Sequence, residues 1–378
     1  MPLLANKIKQ KAYELGFELA GICTPAQPAH YHTYKSWIEQ NRHASMHYLG
    51  NERALHMRAH PNHLMPECRS ILVLGKIYLP AAHENLHTGS LKVAAYAAGD
   101  DYHDILPERL RELMHALESW VDQPICHRIY TDTGPLLERD LAMQAGLGWI
   151  GKNTCLIHPG IGSYFFLAEI LLDLDLPADP PFTADHCGTC RRCIDACPTS
   201  AIRNDRTLDA GRCLSYLSIE LKETIPVEFL SSFEDWAFGC DICQLVCPWN
   251  ARFACPTIDS AFQIRPALEQ RDLDLWLQMD NARFQHAFRG SPIKRSKRRG
   301  LLRNTLINAA HQRGTDMIPA LLDSLLHEPE ALLRTQSAML LGNLLPDNQR
   351  GILEQARCQE TDASVVRALD AAIANLTP

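Results

Sequence analysis

Eight cysteines crowded between residues 187 and 247 constrain this chain more than any other feature. The run Cys187-x2-Cys190-x2-Cys193-x3-Cys197-Pro198 has the compact bacterial ferredoxin spacing, in which three thiolates wrap one iron–sulfur cubane and the fourth reaches across to a second. That crossing demands a second ligand set. It is found in Cys240-x2-Cys243-x3-Cys247-Pro248, one cysteine short of a full run, with Cys213 upstream to complete the count. The crossover pattern assigns Cys187, Cys190, Cys193 and Cys247 to one [4Fe-4S] cluster, and Cys197, Cys213, Cys240 and Cys243 to the other. A pair of four-cysteine zinc sites is the alternative, but zinc ribbons separate their C-x2-C pairs by about a dozen residues or more and carry no triple run. The remaining cysteines, Cys23, Cys68, Cys126, Cys155, Cys255 and Cys358, are scattered singly and read as small structural hydrophobes. Two neighbouring cubanes imply low-potential electron transfer without saying to what.

A chain of 378 residues has room for two or three domains, and 46% hydrophobic with 21% charged residues excludes wholesale disorder. No basic stretch followed by an apolar one opens the sequence, and the greasiest segment, Tyr164 to Leu172, is interrupted by Glu169. A cytoplasmic protein without membrane segments is therefore expected. Apolar spacing at Ile8, Ala12 and Leu15 predicts a first helix, and Leu106, Leu110, Leu113 and Leu117 a second over Asp104 to Val121. Strand-like runs occur at Phe17 to Cys23, Ser70 to Gly75, Ile125 to Tyr130 and Tyr164 to Leu172. The expected class is α+β multidomain. Residues 1–180 form a mixed α/β domain closed by the Pro-rich Leu176 to Phe182, 181–262 a ferredoxin-like two-cluster domain, 263–299 a basic connector, and 300–378 an all-helical domain. In that last part, segments beginning at Leu302, Leu333 and Val366 superpose, with Arg303, Arg334 and Arg367 at intervals of 31 and 33 residues. HEAT-like stacked helix pairs have this period; three unrelated amphipathic helices would share the pattern too.

Several signals stay open on the residues alone. Gly146-Leu-Gly-Trp-Ile-Gly151 fits a dinucleotide fingerprint as a string but follows a helical pattern, so Gly146 reads as a helix C-cap. From Arg289 to Arg303 stand seven basic residues and no acid, either a phosphate-backbone contact or a solvated linker. Asp132-Thr-Gly-Pro135 lies between a strand and a helix, where both catalytic carboxylates and plain caps occur. Asp101-Tyr102-His103 is likewise a helix entry or a polar site cluster.

Taken together, Asp101-Tyr102-His103-Asp104, Asp132-Thr133-Gly134, Gly151-Lys152-Asn153, Gly162-Ser163-Tyr164, the eight cysteines, and Arg289-Gly-Ser-Pro followed by basic residues and Leu301-Leu302-Arg303-Asn304 resemble the epoxyqueuosine reductase family. The resemblance runs over nearly the whole chain. It implies a cobalamin-dependent oxidoreductase that removes the epoxide oxygen of epoxyqueuosine at the wobble position of tRNA, giving queuosine. The chemistry implied is cob(I)alamin fed by the two clusters, with Asp132 as proton donor and part of the cofactor site. The D-x-H-x-x-G corrinoid signature is absent, since Asp101-Tyr-His-Asp-Ile-Leu106 ends in Leu, and the family binds its corrinoid without that histidine. By the same resemblance Arg58, Asn153, Leu156, Leu167, Ser215 and Asp241 line the corrinoid pocket. Lys222, Lys294, Arg295, Lys297, Arg298 and Arg299 are the candidate tRNA phosphate contacts. Partners are tRNA carrying epoxyqueuosine and an unidentified low-potential electron donor, and the chain is expected to act as a monomer. Two other classes compete: a corrinoid iron–sulfur reductive dehalogenase-like enzyme, which has no reason for a basic helical tail, and a ferredoxin-type electron carrier that binds nucleic acid, which leaves residues 1–180 unexplained.

Overall fold

The structure, a computed structural model, describes residues 1–121 and 123–376, so the last two residues of the expected 300–378 domain lie outside it. It divides into two compact units, each discontinuous in sequence: 1–83 with 95–213 and 241–265, and 84–94 with 214–240 and 266–378.

The first unit is organised by a four-stranded antiparallel sheet in the order Leu19–Cys23, Ser70–Ile77, Phe165–Leu172, His127–Tyr130. The two central strands are almost continuously apolar because nearly every residue of both is buried, on either face of the sheet. Their register sets Leu167 against Gly75 and Glu169 against Val73, and on the other side Glu169 pairs with Tyr130. The first helix runs Pro2–Glu14, and the second, Tyr102–Val121, buries Leu106, Leu110, Leu113 and Leu117 as their spacing predicts. A third helix, Glu138–Gln144, ends as expected at Gly146. Its φ of +79° is a left-handed conformation that glycine adopts without strain, and the Gly146 and Leu147 amides donate to the carbonyls of Met143 and Ala142. That is a Schellman cap, and it removes the dinucleotide reading.

The Pro-rich segment at 176–182 does not separate domains. Asp179 accepts from the Ile22 amide at 2.7 Å and from the Lys9 ammonium at 2.5 Å, and the Phe182 amide donates to Met143. Ion pairing pins the segment to the sheet edge, and most of the cysteine region shares the unit of residues 1–83.

The second unit contains a short parallel pairing of Lys92–Val93 with Trp236–Phe238, and the C-terminal helices Lys297–Arg313, Ile318–His327, Ala331–Leu344, Arg350–Gln359 and Ala363–Asn375. The helix Lys297–Arg313 is buried on all sides from Gly300 to Ala310, a run that includes Arg303, Asn304 and Asn308. Arg303 has no exposed surface. It donates to the carbonyls of Leu217, Leu221 and Glu223 and to the Asn304 side chain, while Asn304 donates to Ser218 and Ala237. These carbonyls include two in the π-helix Tyr216–Glu220, whose wider turn leaves acceptors that a helix of ordinary pitch would satisfy itself. Arg303 therefore leaves the basic run expected to face phosphate and becomes a structural residue. Among the described residues no helix is long and apolar enough to cross a membrane.

Replacing Arg303 by Met should lower stability by roughly 3–5 kcal/mol, because buried carbonyls lose their only charged donor. Urea denaturation followed by tryptophan fluorescence measures it. A wild-type midpoint in the variant would show that the network does not hold the unit.

Candidate active site and cluster-binding loops

Cys187, Cys190, Cys193 and Cys247 come together in the first unit. They line a cavity of about 260 Å³ together with Lys152, Asn153 and Trp249. Burial pushes the Cys193 thiol up to about 11, and the neighbouring Cys187, Cys247 and Cys190 add to the shift. Four sulfurs that repel one another when ionised are a donor set that a cationic iron–sulfur core would compensate. The loop is held from outside by Lys152, which donates to the carbonyls of Gly188 at 2.6 Å and Cys190 at 2.8 Å, and by the Trp149 indole N–H, 3.5 Å from the Cys187 sulfur.

Of the other four, Cys197 accepts the Ala201 amide at 3.2 Å. Cys197, Cys213 and Cys243 belong to the first unit, and Cys240 ends a segment of the second. Cys155, expected to be a structural hydrophobe, instead hydrogen-bonds Cys243, and that bond holds its thiol below the ordinary value. No cysteine spacing announces this contact, because Cys155 lies far upstream in sequence.

Asp132 stands at φ +52°, a left-handed conformation that non-glycine residues adopt only when held there. Its carboxylate caps no helix. It accepts from the Tyr102 hydroxyl at 2.7 Å, the His103 ring lies 3.9 Å away, and the side chain remains 68% exposed, open to a ligand. The Tyr102 ring stacks on Phe166, and His103 is tied to Asp101 at 2.8 Å. Asp101-Tyr102-His103 is thus both a helix entry and a polar cluster. The loop is tethered twice more: the Asp132 amide donates to Glu138 at 2.7 Å, and the Thr131 hydroxyl to the Leu167 carbonyl at 2.9 Å. Burial, then the Asp132 charge, pushes the Glu138 carboxyl up to about 8, and burial raises the Tyr102 phenol further still. Neither Glu138 nor Glu169 was marked as a site residue by any motif.

Arg58 is buried beside Tyr34, with its charge acting on Glu138. Leu156 is buried and Leu167 partly so. Asp241 accepts the Ala95 amide at 2.6 Å. Asn153 is buried, and its side-chain nitrogen has no hydrogen-bond partner among the described residues. Ser215 opens the π-helix of the second unit.

In that second unit Lys222 is exposed, and the charges of Arg295 and Lys297 help burial to lower its pKa, so the three cations share one neighbourhood. Lys294 is exposed as well. Arg295 pairs with Glu220 while remaining 58% exposed, and Arg299 lies 3.8 Å from Glu330. Arg298 departs from the expected phosphate contact. Its guanidinium forks onto Glu328 at 2.9 and 3.0 Å and onto the Met279 carbonyl, which turns it inward and away from any phosphate.

Residues 58–133 match the family described as Epoxyqueuosine reductase QueG, DUF1730, and residues 186–250 match the 4Fe-4S double cluster binding domain. The epoxyqueuosine reductase of Cyclobacterium marinum is 40% identical over 298 residues, covering 79% of this chain and 94% of that protein. That of Xanthomonas campestris pv. campestris is 41% identical over 338 residues, covering 87% and 93%. Among solved structures, an epoxyqueuosine reductase with a tRNA-Tyr epoxyqueuosine-modified stem loop superposes with a TM-score of 0.89 at 27% identity over 99% of both chains. The Bacillus subtilis epoxyqueuosine reductase, with its aspartate-bearing catalytic loop swung out of the active site, gives 0.87 at 26% identity, again over 99% of both.

If Cys193 ligates a cubane, anaerobically purified Cys193→Ser should carry about four irons per chain where the wild type carries about eight. Iron and sulfide analysis decides it, and an unchanged iron count would remove Cys193 from the ligand set.

Proposed function

The chain belongs to the epoxyqueuosine reductase family, and on that premise we propose that Asp132 is the acid that protonates the oxygen leaving the epoxide. The protein is an oxidoreductase that reduces epoxyqueuosine in tRNA. The observation that carries the residue-level reading is the Asp132 carboxylate itself, presented to solvent on a strained loop and oriented by the Tyr102 hydroxyl instead of by a structural cap.

Cobalamin fits the donor set of the first unit, since a buried amide nitrogen without a partner, that of Asn153, asks for an acceptor that none of the described residues provides. Arg58, Asn153, Leu156, Leu167 and Asp241 would hold it. When bound, the corrinoid supplies strongly reducing two-electron chemistry at a carbon–oxygen bond. The protein's own part is then positional and acid–base. Leu156 and Leu167 offer an apolar wall, Tyr102 fixes the Asp132 carboxyl, and Asp132 delivers a proton from its carboxyl to the developing alkoxide. Cys187, Cys190, Cys193 and Cys247 would hold one cluster, and Cys197, Cys213, Cys240 and Cys243 the other, relaying single electrons from a low-potential donor.

The substrate is a tRNA stem loop carrying epoxyqueuosine, as in the solved relative. Lys222, Lys294, Arg295, Lys297 and Arg299 would meet its phosphates, with the C-terminal helices as HEAT-like repeats behind them. The modified base would enter the pocket as a displaced nucleotide. A cytoplasmic monomer suits that substrate.

Asp132→Ala should lower turnover of epoxyqueuosine-tRNA by roughly 10²–10⁴ while leaving tRNA affinity intact. Single-turnover conversion and a filter-binding titration measure the two halves, and wild-type turnover in the variant would remove Asp132 from the proton-donor role. Replacing Lys294 and Lys297 together by Ala should flatten the slope of log affinity against log salt by about one for each phosphate that the variant no longer neutralises. An unchanged slope would place the tRNA elsewhere.

A further inference from the structure

Around the cavity of Cys187, Cys190, Cys193 and Cys247 stand aromatic and cationic side chains to which the proposed reaction gives no part. Trp249 and His186 line that cavity beside the sulfurs; their rings are 5.3 Å apart, and the Trp249 indole N–H donates to the His186 carbonyl at 3.4 Å. Trp249 also meets Trp149 edge to face at 5.0 Å and stacks on Phe253 at 5.3 Å, and the Arg252 guanidinium lies 5.0 Å from the centre of the Phe253 ring. His186 is exposed and Trp249 half-buried, so this aromatic group borders the thiols and also reaches the surface. The cysteine loop itself meets water at Gly188, Thr189, Arg191 and Arg192.

Charge on this surface is one-sided. The segments 149–157, 186–194 and 247–254, which bring the cavity together, hold Lys152, Arg191, Arg192 and Arg252 and no acid, in a chain whose net charge is −7. The two acids that flank the cysteine loop are already engaged: Asp185 pairs with Arg206, and Asp195 with Arg191 at 3.5 Å.

We infer that this rim is where electrons enter, by docking an acidic one-electron carrier protein. The inference rests on the reading of the four cysteines as holding a cluster. In each encounter the reduced carrier loses one electron and that cluster gains it, and two encounters supply the two electrons that removal of one epoxide oxygen consumes. Trp249 and His186 form the contact centre, because a broad ring with a polar edge buries area at little entropic cost. Arg192 and Arg252 steer the acidic partner, which suits a small, transient interface whose strength depends on salt. A phosphate backbone would also be drawn to cations, but the thiols sit behind this rim, and a carrier must come close to the group it reduces.

Freeze-quench electron paramagnetic resonance tests the docking face on the iron–sulfur-loaded full chain, without corrinoid or tRNA, with a reduced acidic plant-type [2Fe-2S] ferredoxin as the probe. The second-order rate at which the probe's signal gives way to that of reduced [4Fe-4S] clusters should fall as salt is added. In Arg192→Glu/Arg252→Glu it should be about tenfold lower at low salt and nearly independent of salt. Dithionite, too small to need docking, should reduce the clusters of variant and wild type to the same extent, and binding of the epoxyqueuosine stem loop should not change. Arg252→Glu alone, outside the Cys187–Cys197 run, should slow the ferredoxin by severalfold even if the double variant holds less iron. A wild-type ferredoxin rate in Arg252→Glu and in an iron-replete double variant overturns the docking face, and so does a loss of stem-loop affinity with that rate unchanged, which would make the rim a nucleic-acid contact. A wild type in which dithionite raises no signal of reduced clusters would instead sink the cluster reading, and the docking face with it.

Discussion

Eight residues of Phe165–Leu172 pair with eight of Ser70–Ile77, and the site of the first unit takes its geometry from that ladder. In a strand the side chains alternate faces, so Leu167 and Glu169 lie on the same side, and a slip of one residue would send both to the other. The Thr131 hydroxyl hangs from the Leu167 carbonyl, and the Asp132 amide donates to Glu138. The Asp132 loop is thus held at two neighbouring points, one on the sheet and one on the helix Glu138–Gln144. This explains why an exposed, strained aspartate can be held by so few bonds: the frame behind it is almost completely buried and cannot shift without breaking the central pairing.

Charge is arranged differently in the two units. The first gathers acids and thiols whose negative forms crowd one another, from Asp132, Glu138 and Glu169 to the sulfurs around Cys193, and such crowding is tolerated where a proton or a cationic group completes the set. The second unit sorts its cations. Arg303 and Arg298 are drawn inside by backbone carbonyls and by Glu328, whereas Lys222, Lys294 and Lys297 remain outside. A guanidinium, with five donors in a rigid fork, can satisfy several buried acceptors at once, and an ammonium is better left in water.

Much of this was legible in the sequence. The cysteine spacing reports the cluster domain because ligand geometry dictates short fixed intervals, the helix Tyr102–Val121 follows from apolar periodicity, and the helical character of most of Lys297–Arg313 from the repeat that begins at Leu302. Gly146 announced its cap by its place after a helical pattern. What stayed hidden depends on contacts between residues far apart along the chain. Glu169 interrupts an apolar strand and reads locally as a blemish; only the fold reveals that it is wholly buried with no donor among the described residues. Cys155 is a lone cysteine until Cys243 is brought beside it. Arg298 and Arg303 look alike in a basic run, and burial alone tells them from their lysine neighbours. The Pro-rich stretch at 176–182 has the composition of a linker, yet Asp179 fastens it to Ile22 and Lys9.

The chain passes back and forth between its two units, contributing three separate stretches to each. Synthesis from the N-terminus therefore cannot finish one unit before starting the other. The carbonyls of Leu217, Ser218 and Ala237 leave the ribosome long before Arg303 and Asn304, which are their donors. Until those two residues appear, the segment 214–240 has no route to its buried state, so the π-helix it contains should be among the last elements to form. The same weaving means that no single cut in the gene yields either unit whole.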